Sequence, residues 1–101
     1  MYLCLLMISV QLSRQDDIFL GENHVPGFIQ LNDEDDLFFW LFKSRNDINN
    51  DPLVVWLTGG PGCSSEVAIF GENGPFSVKD DLSLKRNDFS WNNNANVLYV
   101  D

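Results

Sequence analysis

Basic residues are scarce in this sequence. Lys and Arg together number 6, against 15 Asp and Glu, and the formal net charge is −9 at pH 7. Nucleic acids and anionic membrane surfaces are bound largely through lysine and arginine contacts with phosphate groups. We therefore expect no nucleic-acid partner and no membrane partner.

Histidine and cysteine, which supply many metal ligands, are almost absent too. The sequence has 1 His, which is His24, and 2 Cys, which are Cys4 and Cys63. One His among scattered acids lacks the spacing of a metal site, and the run Gly59–Gly62 lacks the Lys-Ser/Thr ending of a phosphate-binding loop. We expect neither a metal nor another cofactor, and we interpret His24 as a surface or loop residue.

A long apolar run is also missing. The apolar start, Met1–Val10, is too short for a membrane span, which needs about 20 residues. Its length suits the core of a signal peptide, and we expect a cleaved signal within residues 1–13. A buried first strand and a wrongly assigned start of the reading frame are the alternatives. Removal of Cys4 would leave Cys63 without a partner in this chain, and an odd cysteine in a secreted protein indicates a partner elsewhere.

Apolar and aromatic residues, by contrast, are plentiful. Hydrophobic residues make up 45% of the 101 residues, and there are 8 Phe and 3 Trp. This is enough to build the core of one small domain. The densest acidic stretch, Asp33–Asp36, lies between two apolar runs, and we interpret it as a solvated turn. A calcium loop is the alternative, but the regular ligand spacing with a central Gly is missing.

The apolar runs and the turns between them predict a mixed α/β sheet. Phe28–Leu31 and Leu37–Phe42, with a polar turn between them, predict an antiparallel hairpin. Leu53–Leu57 is an uninterrupted run of β-favouring residues, which predicts a central strand covered on both faces. Ser64 or Ser65 is expected to cap a short helix.

The second half of the chain predicts further elements of this sheet but leaves the sheet incomplete. The helix is expected to end near Phe70, and Phe76–Val78 to form a small extended piece. Asp80–Asp88 is predicted to be irregular, and Trp91–Asn96 to be a turn-rich connection. Val97–Val100 predicts a further central strand, whose far side would lack a neighbour. We therefore interpret the chain as the N-terminal part of a larger α/β domain, with an incomplete sheet.

The loop after the apolar strand is the part most suited to chemistry. Gly59 and Gly60 let a main chain approach a ligand without interference from a Cβ atom. A helix start just beyond them offers unpaired N–H groups and a positive dipole end. Such a place can hold negative charge, for example the oxyanion of an acyl-transfer intermediate.

Several motifs can be compared with a known family. They are LFFWLFKS (37–44), PLVVWLTGGPGCSS (52–65), ENGPF (72–76), and NDFSWN followed by ANVLYVD (87–92 and 95–101). Together they resemble the serine carboxypeptidases, the secreted and vacuolar or lysosomal peptidases of the α/β-hydrolase fold. The resemblance covers residues 27–101 and implies the N-terminal portion of that domain: hairpin, central strand, oxyanion loop, short helix and further central strand.

The resemblance implies roles for particular positions. Gly60 is expected to donate its backbone N–H to the oxyanion hole. Trp56, Thr58 and Gly59 are expected to help bind the free C-terminal carboxylate of the substrate. Most members of the family have Asn in place of Thr58, and a Thr hydroxyl gives one hydrogen bond where an Asn amide has two N–H donors. This departure points to looser carboxylate recognition.

Two further positions take roles from the resemblance. Glu72 matches an acid that pairs, in the family, with a second Glu beside the nucleophile near the substrate carboxylate. Two close acids raise one another's pKa, and a protonated acid can donate to a carboxylate. Cys63 matches a disulfide cysteine whose partner comes much later in the family's chains. The simpler alternatives are a solvated helix-end acid for Glu72, a buried thiol for Cys63, a core residue for Trp56, and a plain tight turn for Gly59 and Gly60.

The catalytic groups themselves are missing from the sequence. The α/β-hydrolase nucleophile lies in a G-x-S-x-G elbow, and is followed by Asp and then His. Ser64 and Ser65 are rejected as nucleophiles because Glu66 stands where the elbow needs its closing Gly. His24 precedes all the motifs and is wrongly placed for the base. We therefore expect no hydrolytic turnover from these 101 residues alone.

The function that the resemblance implies is serine-type carboxypeptidase activity in the secretory pathway. The expected substrate is a peptide or protein with a free C-terminus, and the expected location is secreted or vacuolar and lysosomal. An acyltransferase on the same scaffold is the first alternative, since Thr58 fits loosened carboxylate binding. A non-catalytic product, either truncated or a secreted binding module, is the second.

Overall fold

The computed structural model describes residues 18–101. The predicted signal segment, residues 1–13, and Cys4 lie outside the described residues. The strands are β1 (His24–Gln30), β2 (Asp36–Phe42), β3 (Leu53–Trp56), β4 (Phe76–Val78), β5 (Leu84–Arg86) and β6 (Asn96–Val100). Helix α1 is Glu66–Gly71, and a short 3-10 helix covers Trp91–Asn93. From residue 18 onward, no helix combines the length and the apolar character that crossing a bilayer requires.

Four of the strands form one mixed sheet, in the order β1-β2-β6-β3. The pairs β1–β2 and β2–β6 are antiparallel, and the pair β3–β6 is parallel. A parallel pair needs a crossover connection, and here the crossover contains α1 and the separate β4–β5 hairpin. The predicted mixed α/β sheet with an N-terminal antiparallel hairpin is confirmed.

The two strands predicted as central differ in position. β6 lies between β2 and β3, and its Val97 and Tyr99 are buried. β3 lies at the edge of the sheet that residues 18–101 form, and its Leu53 and Val55 are 63% and 54% exposed. The prediction that β3 is covered on both faces is therefore wrong for this sheet, as is the prediction of an open side for β6. An uninterrupted apolar run marks a strand but does not say which neighbours it pairs with.

Strand β1 begins four residues before the predicted Phe28, at His24, and includes Pro26 and Gly27. Pro26 cannot donate to a ladder, and it is tolerated because β1 is an edge strand of the described sheet. Gly27 is opposite Phe39 on β2, and a Cβ atom at Gly27 would lie 2.5 Å from the Phe39 ring. The absence of a side chain at Gly27 leaves room for the Phe39 ring to lie over this position.

His24 is neither a surface residue nor a loop residue, contrary to the prediction. It is half-buried on β1, and its ring packs edge-on against Phe19 and Trp40 at centroid distances of 4.8 and 5.7 Å. The indole N–H of Trp40 donates to Nδ1 of His24 over 3.1 Å. An aromatic cluster therefore holds this histidine in a structural role.

The core lies between the sheet and α1. Its buried apolar side chains come from β2, α1, β4, β6 and the residue before β6, and they are Phe42, Ala68, Ile69, Phe76, Ala95, Val97 and Tyr99. Phe42 contacts both Phe76 and Tyr99 in edge-on geometry, with centroids 5.7 and 6.0 Å apart. Such aromatic pairs add about 0.5–1.5 kcal/mol each beyond the buried area. The core fixes α1, and so the loop before it, against the sheet.

A buried polar cluster crosslinks the chain outside this core. We call Glu22, Arg45, Asn92 and Asn93 the Arg45 cluster. Arg45 forms an ion pair with Glu22, and the two side chains are 12% and 4% exposed. Arg45 Nη1 also donates to the Asn93 side chain over 2.8 Å, and the Asn92 amide donates to Glu22 over 3.0 Å. These bonds join three segments that are far apart in the sequence.

The stretch Asp80–Asp88, predicted to be irregular, contains strand β5. Leu84–Arg86 pairs with β4 in an antiparallel hairpin. Leu84 is half-buried and packs against the core, whereas Lys85 and Arg86 are exposed. The strand could not be predicted from its sequence, because Lys85 and Arg86 are charged and Leu84 is its one apolar residue.

Candidate functional site

The loop between β3 and α1 covers residues 57–65, and we call it the glycine loop. Gly60 has φ = 155° and Gly62 has φ = 80°, values that residues with a Cβ atom rarely adopt. A Cβ atom at Gly60 would lie 2.9 Å from Sγ of Cys63 and 3.1 Å from its backbone N. Both conformation and space therefore require glycine at position 60.

The glycine loop leaves backbone donors open. Gly59 and Gly60 are exposed, and among residues 18–101 no acceptor is hydrogen-bonded to either backbone N–H. Unpaired N–H groups in a rigid loop are the donors that an oxyanion hole requires. The predicted role of the Gly60 N–H is chemically compatible with this geometry, and it remains a prediction.

Two serines hold the loop in place. Oγ of Ser65, a buried residue, accepts the Thr58 N–H over 3.1 Å, and Oγ of Ser64 accepts the Glu66 N–H over 3.1 Å. Ser65 is the N-cap residue of α1, but its side chain makes no capping bond and instead ties the end of β3 to α1. The predicted side-chain cap is therefore wrong for Ser65, and the Ser64 bond to Glu66 lies just before the cap. Both hydroxyls have structural partners.

Trp56 and Thr58, predicted to contact a substrate carboxylate, contact each other. Nε1–H of Trp56 donates to Oγ1 of Thr58 over 3.2 Å. The Trp56 ring packs edge-on against Trp91, with centroids 5.1 Å apart and planes at 77°. Trp56 and Thr58 are half-buried, so each residue has packed and solvent-facing atoms. The contact between Trp56 and Trp91 had no signal in the sequence, because the residues are 35 positions apart.

Glu72 follows the last residue of α1, whereas the glycine loop precedes the first. The 6-residue helix between them is about 9 Å long. Glu72 is exposed and lines an open cleft of about 280 Å³ together with Phe70, Arg86 and Phe89. The role of Glu72 beside the substrate carboxylate remains a prediction.

The hydroxyl of Tyr99 on β6 lies near the Glu72 carboxylate. Burial raises the pKa of the Tyr99 hydroxyl, and the nearby negative charge of Glu72 raises it further. The hydroxyl donates to Oδ1 of Asn73 over 3.2 Å. Nδ2 of Asn73 is buried and has no hydrogen-bond partner in residues 18–101. Tyr99 therefore contacts the segment after α1 and carries no charge near neutral pH.

Cys63 is a free, exposed thiol. The alternative that it is a small buried thiol is wrong, and the disulfide with a partner elsewhere remains a prediction. Within residues 18–101, His, Cys, Asp and Glu side chains form no group of three that would hold a metal ion.

Comparison with known proteins relates this geometry to a family. The family model described as serine carboxypeptidase matches residues 15–101. Carboxypeptidase Y homolog A of Phaeosphaeria nodorum is 48% identical over 97 residues, which are 92% of this chain and 18% of that protein. The homolog of the same name from Chaetomium globosum is 57% identical over 65 residues, which are 64% of this chain and 12% of that protein.

A solved structure agrees with these relatives. The crystal structure of Kex1Δp, a prohormone-processing carboxypeptidase from Saccharomyces cerevisiae, is similar to this chain with a TM-score of 0.68 and 38% identity. The match covers 79% of this chain and 19% of that one. The chain thus spans less than a fifth of the length of the Phaeosphaeria nodorum relative. The matched range, the sequence identity and the shared geometry show that the chain belongs to the serine carboxypeptidase family and that its sheet is part of an α/β-hydrolase fold.

Proposed function

We propose that this chain provides the oxyanion-binding loop of a serine-type carboxypeptidase. The observation that carries the proposal is the unpaired backbone N–H of Gly60, in a conformation that only glycine adopts easily. Family membership supplies the reaction class: hydrolysis of a C-terminal peptide bond through an acyl-enzyme.

The proposed chemistry gives the loop one task. A serine hydroxyl attacks the scissile carbonyl carbon, its proton passes to a base, and the carbonyl electrons move to the oxygen. The Gly60 N–H donates to that oxyanion, which then collapses to the acyl-enzyme as the base returns the proton to the leaving amine. The sequence pattern assigns neither the nucleophile nor the base to these residues, so the 101-residue chain alone is expected to be inactive.

Substrate recognition is proposed for the residues beside Gly60. The Thr58 hydroxyl and the Gly59 N–H are open donors next to the oxyanion position, and they would face the free carboxylate of a peptide C-terminus. Trp56 supports Thr58 through its indole N–H. Glu72 is proposed to act near this carboxylate together with a second acid from outside the described residues.

A chimeric enzyme tests the proposal. The matching segment of the Phaeosphaeria nodorum relative is replaced by the segment of this chain, and release of C-terminal amino acids is measured. We expect an active chimera in which Gly60→Ala lowers kcat by about 100- to 1,000-fold, since misplacing one oxyanion donor has this effect. Gly71→Ala is the matched control, because a Cβ atom there meets nothing within 4 Å. A folded chimera without activity, or a Gly60→Ala variant with full activity, would contradict the proposal.

Acyl transfer to an alcohol is the second candidate function. It is favoured by the contact between Trp56 and Thr58, which removes a donor from the expected carboxylate site. The same chimera, given an ester substrate and an added alcohol, would distribute the acyl group between water and the alcohol. Predominant ester formation would favour the transferase.

We also propose that the protein enters the secretory pathway, by a signal within residues 1–13, and is secreted or vacuolar and lysosomal. The prohormone-processing carboxypeptidase named among the similar structures supports this location. Fusion of residues 1–23 to a reporter enzyme tests it, with secretion of the reporter as the expected result. Retention of the reporter in the cytosol would contradict it.

A further inference from the structure

A second open cleft, of about 260 Å³, lies at the Arg45 cluster, and we call it the basic cleft. The residues that the argument uses from its lining are Gly21, Glu22, Asn23, Lys43, Arg45 and Arg86. Of the basic residues from position 18 onward, Lys79 and Lys85 are the ones that do not line it. In a chain with a net charge of −9, the cleft is therefore a local concentration of positive charge.

The main chain fixes the walls of the basic cleft. Before β1, the Glu22 N–H donates to the Phe19 carbonyl over 3.0 Å, and Gly21 in this turn has φ = 74°, a value that favours glycine. Where β2 ends, the Lys43 N–H donates to the Asn23 carbonyl over 2.8 Å. Main-chain bonds thus hold the segment before β1 beside the end of β2.

Two of the charged residues in the basic cleft, Arg45 and Glu22, are already paired. Arg45 donates to Oε1 of Glu22 through both Nε and Nη2, and its Nη1 donates to the Asn87 carbonyl and to the Asn93 side chain. A guanidinium has five N–H donors, and these bonds occupy most of them. Oε2 of Glu22 accepts the Asn92 amide over 3.0 Å. Neither charge of this pair is available to a ligand.

Lys43 and Arg86 are the cations that remain available. Within residues 18–101, no carboxylate lies within ion-pair distance of the Lys43 ammonium. Nε of Arg86 lies 3.4 Å from Asp88, and both side chains are mostly exposed, so this pair contributes little. The exposed Asn23 side chain adds two amide donors. The cleft therefore offers two cations and an amide to a small anion.

We propose that the basic cleft binds a phosphate-type dianion, either free phosphate or the phosphate group of a larger molecule. Three cationic side chains and one carboxylate line the cleft, which leaves two positive charges, and a phosphate group carries about −1.5 to −2 near neutral pH. The Lys43 ammonium acts as a point charge, and the Arg86 guanidinium presents a fork of donors to phosphate oxygens. A carboxylate, with a single charge, would neutralise one of the two cations.

Binding at this position would join separate parts of the fold. Lys43 follows β2 of the four-stranded sheet, whereas Arg86 belongs to β5 of the two-stranded sheet. A dianion that bridges the two cations ties the β4–β5 hairpin to the main sheet, and a ligand that binds the folded state alone raises its stability. The basic cleft shares no residue with the glycine loop, so failure of this proposal would leave the proposed function unaffected.

The first experiment is an NMR titration of the 101-residue chain with inorganic phosphate, with the ionic strength held constant by sodium chloride. We expect saturable shifts of the Gly21, Asn23, Lys43 and Arg86 amides, with a Kd of about 1 mM. Lys43→Met and Arg86→Met keep the apolar part of each side chain and remove its charge. Each is expected to raise the Kd by about tenfold, the effect of one charged hydrogen bond.

Lys79→Met is the matched control for these variants. It changes the net charge by the same amount, but Lys79 does not line the cleft, so the Kd is expected to change by less than about twofold. Lys43→Arg keeps the charge and is expected to keep the Kd within about threefold. Shifts that do not saturate, or an equal loss of affinity in Lys43→Met and Lys79→Met, would overturn the proposal.

Two further probes decide the class and the source of the ligand. Acetate, at the same ionic strength, is expected to bind at least about tenfold more weakly than phosphate, and equal affinity would overturn the choice of a dianion. Glycerol 3-phosphate carries the same group on a larger molecule. Both phosphate probes are expected to bind, and the tighter one identifies the source.

Thermal unfolding gives an independent measurement and verifies that each variant folds. Phosphate is expected to raise the Tm of the unmodified chain and of Lys79→Met above the value in sodium chloride. The Tm of the double variant Lys43→Met, Arg86→Met is expected not to respond. An equal rise in the double variant would show that phosphate acts elsewhere on the chain, and it would contradict the proposed site.

Discussion

The Arg45 cluster and the glycine loop use polar groups in opposite ways. In the cluster, both charged side chains are more than four-fifths buried and are paired with each other. In the glycine loop, the Gly59 and Gly60 N–H groups have no acceptor within residues 18–101. A buried polar group costs free energy unless it is hydrogen-bonded, whereas an exposed donor is satisfied by water until a ligand arrives. The Arg45 cluster is therefore a framework that stabilises the fold, whereas the glycine loop has donors available for a ligand.

The two regions also differ in how far apart in the sequence their hydrogen-bonded residues lie. The Asn92 amide bonds to Glu22, 70 positions away, and Arg45 bonds to the Asn87 carbonyl, 42 positions away. The longest tie within the glycine loop joins Thr58 and Ser65, 7 positions apart. Long-range ties hold segments of the fold together, and short ones set the local shape of a loop. Asn73 departs from the framework pattern, because its buried Nδ2 has no partner in the described residues.

The largest expected effect comes from breaking the Arg45 cluster. Arg45→Met leaves the Glu22 carboxylate buried without its partner, and the free energy of unfolding is expected to fall by about 3–5 kcal/mol. Arg86→Met is the matched control, since its pair with Asp88 is exposed and contributes about 0–1 kcal/mol. Urea unfolding of the chain measures both. Equal losses of stability in the two variants would contradict the claim that the buried Arg45 cluster stabilises the fold more than an exposed ion pair does.

A second test concerns the framework at the end of α1. A Cβ atom at Gly74 would lie 2.3 Å from the backbone of Ile69, so Gly74→Ala requires the backbone to move and is expected to cost about 3 kcal/mol. Gly71→Ala, where a Cβ atom meets nothing within 4 Å, is expected to change stability by less than about 1 kcal/mol. Thermal unfolding followed by circular dichroism compares them. A Gly74→Ala variant as stable as Gly71→Ala would show that this packing is loose.

A smaller effect is expected in the glycine loop. Gly60→Ala places a Cβ atom 2.9 Å from Cys63 Sγ, at a backbone φ of 155°, and is expected to cost about 2 kcal/mol. Gly59→Ala is the control, because the space around Gly59 is open, and its cost is expected within about 0.5 kcal/mol. The same urea titration measures both. A Gly60→Ala variant with unchanged stability would mean that the loop adapts to a side chain. That result would contradict the claim that position 60 requires glycine.

The smallest effect is a pH dependence in the loop between β2 and β3. Hydrogen bonds from the Ser44 hydroxyl and then the Asp47 N–H lower the pKa of Asp51 from its ordinary 3.8. The carboxylate therefore stabilises the fold above about pH 4, and this contribution is lost as the pH falls through the lowered pKa. Asp51→Asn is expected to flatten the fall in stability between about pH 5 and about pH 2. Asp33→Asn, in the exposed turn, is the control, and an equal change in both variants would contradict the assignment.

The hairpin and the strand before the glycine loop could be predicted because their signals are local. Leu37–Phe42 is an apolar run joined to β1 by a short polar turn, and Leu53–Trp56 is a short run of β-favouring residues. What the sequence did not reveal is non-local: that β6 lies inside the sheet and β3 at its described edge. Pairing order depends on contacts across more than 40 residues, for which a single sequence has no direct signal.

The candidate site divides in the same way. Trp56, Thr58, Gly59 and Gly60 lie together because they are nearly consecutive in the chain. Glu72 follows the far end of α1, and its place beside them remains a prediction. The contact of Trp91 with Trp56 could not be predicted, since it depends on how the 3-10 helix before β6 meets the end of β3.

The hairpin β1–β2 also predicts how this sequence can change over evolution. At Gly27 the Phe39 ring occupies the volume that a side chain would need, so the two positions share one space, as in the aromatic cover of strand glycines. A larger residue at position 27 is compatible with the sheet only when a smaller one replaces Phe39. Homologous chains should therefore substitute these two positions together, and Gly27→Ala should be rescued by Phe39→Leu.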